Sequence, residues 1–118
     1  MAYVDGFVAA VPKKNKEVYR AHAAKAAAIL RELGATRVVE AWGDDVPEGK
    51  VTDFFRAVQA KPDEVVVFSW VEYPDKATRD EVSKRFMDDP RAKQMGEEMP
   101  FDGKRMIYAG FEVIVDER

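Results

Sequence analysis

The chain is 118 residues long, 47% hydrophobic and 35% charged, with a formal net charge of −3, the profile of one globular domain that buries roughly two-thirds of its unfolded surface. The acidic balance lacks the broad positive field that draws nucleic acid or anionic membranes. With no cysteine and the single His22, disulfides, thiolate nucleophiles, cysteine-based metal sites and any site needing two histidines are excluded.

Tyr3 to Val11, rich in Val and Phe and closed by Pro12, is too short for a typical buried helix and predicts a first strand. Lys13 and Lys14 follow this apolar run and Asp5 interrupts it, the reverse of a signal peptide, so a cytoplasmic location is expected. Asn15 stands where a helix cap is expected. From Lys16 to Leu33 there is no Gly or Pro, alanine is abundant, and Gly34 occupies the position of a left-handed C-terminal cap.

Thr36 to Trp42 predicts a second strand, and Gly43, Asp44, Asp45, Pro47 and Gly49 open a polar loop. Thr52 or Asp53 then caps a short helix carrying Phe54, Phe55 and Val58. Glu64 to Tyr73 is the clearest strand. Pro74 and Asp75 start a helix reaching about Asp89, which Pro90 ends, and Arg105 to Val115 forms the last strand. Uncharged stretches such as Val65 to Val71 fall far below the ~20 residues of a membrane helix.

The order β, α, β, β, α, β predicts one α+β domain over residues 1–118, of the ferredoxin-like βαββαβ kind. Its four-stranded antiparallel sheet carries both helices on one face, with strands one and three in the middle. Val65, Val66, Val67, Phe68, Trp70 and Val71 place apolar groups on both faces of strand three, so the open face calls for a second subunit and a symmetric homodimer.

At ~100° per residue, Val18, Tyr19, His22, Ala26, Ile29, Leu30 and Leu33 share one face of the first helix. His22 therefore points towards the sheet beside Tyr19, as a core histidine, a polar anchor or a general base. Glu40 with Trp42, and Trp70 with Glu72, are acid and indole pairs two residues apart, each on one side of its strand. An even-with-even register between the two strands would gather both carboxylates and both indoles on one face, where paired acids can share a proton; an odd register would separate them. The candidate catalytic residues are therefore His22, Glu40 and Glu72, and the candidate ligand contacts are Tyr19, His22, Trp42 and Trp70.

Asp5 and Glu112, acids inside apolar strands, call for partners such as Arg37 or Arg105. Gly6 and Gly110 mark a bulge or a close approach on their strands. Asp88 to Gly103, with Met95 and Met99, reads as an adaptable cover or a packed connection. No Walker phosphate loop, dinucleotide fingerprint, nucleophile elbow or zinc-protease helix occurs.

Tyr3-Val4-Asp5-Gly6-Phe7, Val39-Glu40-Ala41-Trp42-Gly43-Asp44-Asp45-Val46-Pro47, Phe68-Ser69-Trp70-Val71-Glu72-Tyr73-Pro74 and Pro100-Phe101-Asp102-Gly103-Lys104-Arg105-Met106 resemble the YbaA-like family of small bacterial proteins over nearly the whole chain. That family is a domain of unknown function. The resemblance implies the dimeric α/β-barrel superfamily, which spans cofactor-free monooxygenases, haem-handling enzymes and small-ligand binding modules, and it supplies no catalytic residues. The expected function is that of a homodimeric small-molecule-binding or accessory domain for a small apolar or aromatic ligand, with no cofactor and no metal. The alternatives are a cofactor-free monooxygenase or isomerase of a small aromatic or quinone-like substrate, and a structural dimer without a ligand.

Overall fold

The computed structural model describes residues 2–118. Its long strands are β1 (Tyr3–Pro12) and β3 (Glu64–Tyr73), which pair antiparallel over their full length from Tyr3 opposite Tyr73 to Pro12 opposite Glu64. Two shorter strands, β2 (Arg37–Trp42) and β4 (Ile107–Glu112), flank them, and the sheet order is β2-β3-β1-β4 with every pairing antiparallel. The short edges follow from their neighbours. Tyr3 is already opposite Glu112, and beyond it the amide of Val113 donates to the carbonyl of Ala2 at 3.3 Å. The expected strand from Arg105 to Val115 is trimmed at its start too, because the Asp102 side chain accepts the Lys104 amide and holds 103–105 in a 3₁₀ turn.

Helix α1 (Lys16–Leu33) matches its expected bounds. It stops at Gly34, whose φ of 134° suits glycine, while the amides of Gly34 and Ala35 both return to the carbonyl of Leu30. Asn15 does not cap it: the side-chain amide donates instead to the carbonyl of Pro100 at 2.9 Å, tying the start of α1 to the chain after the last helix. Asp53 caps the short α2 (Phe54–Ala57) by accepting the Arg56 amide at 2.8 Å. Asp75 likewise caps α3 (Lys76–Asp88) through the Thr78 amide.

Pro90 ends α3, but it also begins a helix that the sequence did not announce, α4 (Pro90–Glu97). Proline lacks only an amide that a first helical residue leaves free, and Asp89 accepts the next one, from Arg91, at 2.9 Å. The segment from 88 to 103 is therefore built largely of helix. Among the described residues no helix is long and apolar enough to cross a membrane.

Side-chain alternation sorts the core into two layers. On the odd-numbered face of β1 and β3, Val11 and Val67 pack with Tyr19 and Ala23 of α1, while Val71 and Tyr73 pack with Ala35 and Val82 of α3. On the even-numbered face, Ala10 and Val66 pack with Val58, joined by Phe55. The buried stripe of α1 runs through Tyr19, Ala23 and Ile29, with His22, Ala26, Leu30 and Leu33 half-buried. Val18 lies outside it and is 60% exposed.

The charged residues inside strands take partners other than those expected. Asp5, 8% exposed, receives Arg79 of α3, with nitrogen to oxygen distances of 2.9 and 3.0 Å. Arg105 instead grips Glu64 with both guanidinium nitrogens at 2.7 Å. Arg37 lies 3.5 Å from Glu72, and Glu112 is exposed at a strand end. Gly110 marks a close approach: a Cβ there would run into the Tyr3 hydroxyl and the Arg79 guanidinium that holds Asp5.

Candidate functional site

The register between β2 and β3 decides which candidates meet. Glu40 faces Ser69, Val39 faces Trp70 and Arg37 faces Glu72, which is the odd register. Glu40 and Trp42 therefore point at the helices, and Trp70 and Glu72 point from the opposite face. The pairing of Glu40 with Glu72, the pairing of the two tryptophans, and any joint site holding Trp70 with Tyr19 and His22 are thereby ruled out. Glu72 accepts the Trp70 indole N–H at 2.8 Å and attracts Arg37; Trp70 packs on Phe68 with ring centroids 5.8 Å apart.

On the helix side, three of the predicted ligand contacts do converge. The Tyr19 hydroxyl donates to Glu40 Oε1 at 2.5 Å. Tyr19 is itself walled by Trp42 and Phe101, at centroid distances of 6.3 and 5.7 Å. Burial pushes the Glu40 carboxyl above its ordinary range, against the opposing pull of the Tyr19 and Ser69 hydroxyls and of His22. Burial and the adjoining carboxylate push the Tyr19 phenol far up as well. Glu40 nonetheless retains access to solvent, because β2 is an edge strand.

Tyr19 and Glu40 stand between two spaces. Outward lies a groove of about 380 Å³ between α1 and β2, lined by Lys16, Arg20, Ala23, Ala27 and Trp42. Inward lies a cavity of about 180 Å³ beside His22 and Ser69, walled by Phe7, Phe86, Met99 and Phe101. The groove falls within the range of roughly 300–1,000 Å³ common for ligand pockets.

His22 Nε2 lies 3.0 Å from the carbonyl of Met95, which can only accept, so Nε2 is the donor of this hydrogen bond. His22 thus anchors α4 while lining the cavity. Among the described residues no three His, Asp or Glu side chains are grouped to hold a metal ion.

Sequence reasoning did not find Ser69, Phe101 or Lys16. Ser69 becomes relevant only through the register, and Phe101 only once Asn15 draws in the Pro100 carbonyl. Lys16 sits with its Nζ 5.5 Å from the centre of the Trp42 ring.

The opposite face of the sheet holds a broad apolar depression of about 620 Å³, lined by Val4, Val8, Phe68, Trp70, Ile107 and Phe111. Phe68 is 45% exposed and Phe111 56%. The connection that carries α2 covers only the end of this face around Ala10 and Val66.

The family described as protein of unknown function (DUF1428) matches residues 2–103. The uncharacterized protein YbaA of Escherichia coli K12 is 62% identical over 117 residues, covering 99% of this chain and all of the relative, and the uncharacterized YbaA of Shigella flexneri matches to the same extent. The structure of Rv0793 from Mycobacterium tuberculosis aligns over the whole of both chains with a TM-score of 0.56 at 11% identity, a likeness of fold alone.

Proposed function

We propose that this chain, which belongs to the DUF1428 family of unknown function and is YbaA-like, is a homodimeric small-molecule-binding domain whose ligand enters the groove between α1 and β2 and meets Glu40 and Tyr19. One contrast carries the reading. Asp5 and Glu64 lie in the apolar core and each is matched by an arginine. Glu40 has no lysine or arginine nitrogen within 4 Å among the described residues; its neighbours are the Tyr19 and Ser69 hydroxyls and, farther off, His22. A carboxyl without an arginine or lysine partner, exposed on an edge strand and lining a groove, is a group placed to meet a ligand.

The same carboxyl supports a second reading, a cofactor-free acid–base enzyme in which Glu40, with its raised proton affinity, exchanges a proton with the ligand and Tyr19 orients it. The structural-dimer reading expects a tightly filled sheet interface and no response to any ligand; the groove and cavity beside Tyr19 favour the binding reading over it.

For the assembly, the order β2-β3-β1-β4 and the placing of α1 and α3 on one face support a ferredoxin-like, dimeric α/β-barrel arrangement. The exposed apolar depression supports a second copy packed sheet to sheet. We take the protein to be cytoplasmic, in keeping with its lack of cysteine.

A thermal-shift screen of small organic acids, phenols and amines tests the groove. Compounds that stabilise the wild type but not Glu40→Gln or Trp42→Ala support it. Stabilisation unaffected by both substitutions, or no stabilising compound, contradicts it.

A further inference from the structure

We propose that the groove between α1 and β2 takes a flat organic anion, with its ring on Trp42, its negative group at Lys16 and Arg20, and a hydroxyl or amine donor directed at Glu40. This rests on the reading that the groove binds a small molecule, and adds the chemical class.

The groove is polarised along its length. At its mouth Lys16 and Arg20, one helical turn apart on α1, present two cations on one side. Lys16 has no carboxylate within 4 Å among the described residues, its nearest aromatic neighbour being the Trp42 ring. Arg20 is held only by Glu17 at 3.5 Å, with both side chains more than two-thirds exposed, a contact that water screens and a ligand can replace. Glu40 and Tyr19 line both this groove and the cavity behind it, which places them at the groove's inner end.

Between the two ends the walls are small. Ala23, Ala24 and Ala27 on α1 leave the space that larger side chains would fill, and Trp42 supplies a broad flat surface. A planar apolar body fits that slot.

Charge fixes the direction of binding. A carboxylate or phosphate at the inner end would meet the Glu40 carboxyl, whereas at the mouth it draws Lys16 off the Trp42 ring into a charge-assisted pair and leaves that ring to the ligand. The inner end accepts a donor, since Glu40 is the acceptor of the Tyr19 hydroxyl. A polyphosphate is a poor match, because the mouth offers two cations and the chain has no phosphate-cradling glycine loop.

The test uses Trp70→Phe, which leaves Trp42 as the sole indole of the chain and its ring N–H resonance as a reporter of the groove. The probes are 6-hydroxy-2-naphthoate and uncharged 2-naphthol. The inference expects saturable movement of the Trp42 resonance by the naphthoate, about tenfold weaker binding of the naphthol, and loss of that preference in Lys16→Gln/Arg20→Gln. Equal binding of the two probes, or a preference that survives the double substitution, overturns the anion class while leaving the groove reading intact. No movement of Trp42 by either probe overturns the inference, and the unbiased compound screen then decides the groove reading separately.

Discussion

The hydroxyl of Tyr19, from the first turn of α1, meets Oε1 of Glu40, from an edge strand, at 2.5 Å, joining helix to sheet at an acid that has no arginine within 4 Å among the described residues. Site and structure make opposite demands on such a pair, and the first prediction follows. Burial raises the Glu40 pKa in the folded state, so its contribution to stability is fully present below the ordinary carboxyl value and is lost as pH rises through the raised value. Glu40→Gln should therefore melt no lower than wild type at pH 7, and its advantage should shrink as pH falls towards 4.5, the ordinary value. Calorimetry at both pH values checks this. A large loss of Tm at pH 7 would mean that Glu40 is there to hold α1.

The same pair predicts a change in the tyrosine. Two of the three causes that raise the Tyr19 phenol come from Glu40, the remaining and largest being burial. Ultraviolet titration of Glu40→Gln should show a tyrosine ionising at lower pH than in wild type. An unchanged titration would place the phenol away from the carboxylate in solution.

The clamp between α3 and the sheet should behave in the opposite way, as pure structure. Asp5→Asn leaves Arg79 half-buried without its main partner and should cost about 3 kcal/mol of unfolding free energy in urea. Gly110→Ala, whose methyl collides with the Tyr3 hydroxyl and Arg79, should destabilise the same clamp. Neither change should alter ligand affinity, because both lie outside the groove.

Acid should also act through Glu64. Arg105 holds its carboxyl at about 2 against an ordinary 4.5. A depressed pKa gives stability that is present above the unfolded value and lost as pH falls through the folded one, so the pair weakens between pH 4.5 and about 2. Glu64→Gln should lose stability at pH 7 and show a flatter stability profile across that interval. A profile parallel to wild type would contradict the pairing.

Much of this arrangement is legible in the residues, and the boundary is physical. The bounds of α1 and β3 follow from unbroken local patterns: an alanine-rich run closed by Gly34, and ten residues of β-branched and aromatic character. Register is not local. Whether Glu40 meets Glu72 or Ser69 depends on a pairing between strands 29 residues apart, and an odd offset sends one acid to each face. Helix α4 is hidden because a proline reads first as a stop, although it also suits a first turn. The partner of Asp5 is hidden because Arg79 reaches it only after α3 docks on the sheet.

The most direct test of the central claim is native mass spectrometry of the gently purified protein beside Glu40→Gln. The account predicts a wild-type dimer carrying a reproducible small-molecule mass that the variant dimer loses, with Phe111→Lys dissociating the dimer. A wild-type monomer would contradict the covered sheet face, and a bound mass retained unchanged by Glu40→Gln would contradict Glu40 as the ligand's anchor.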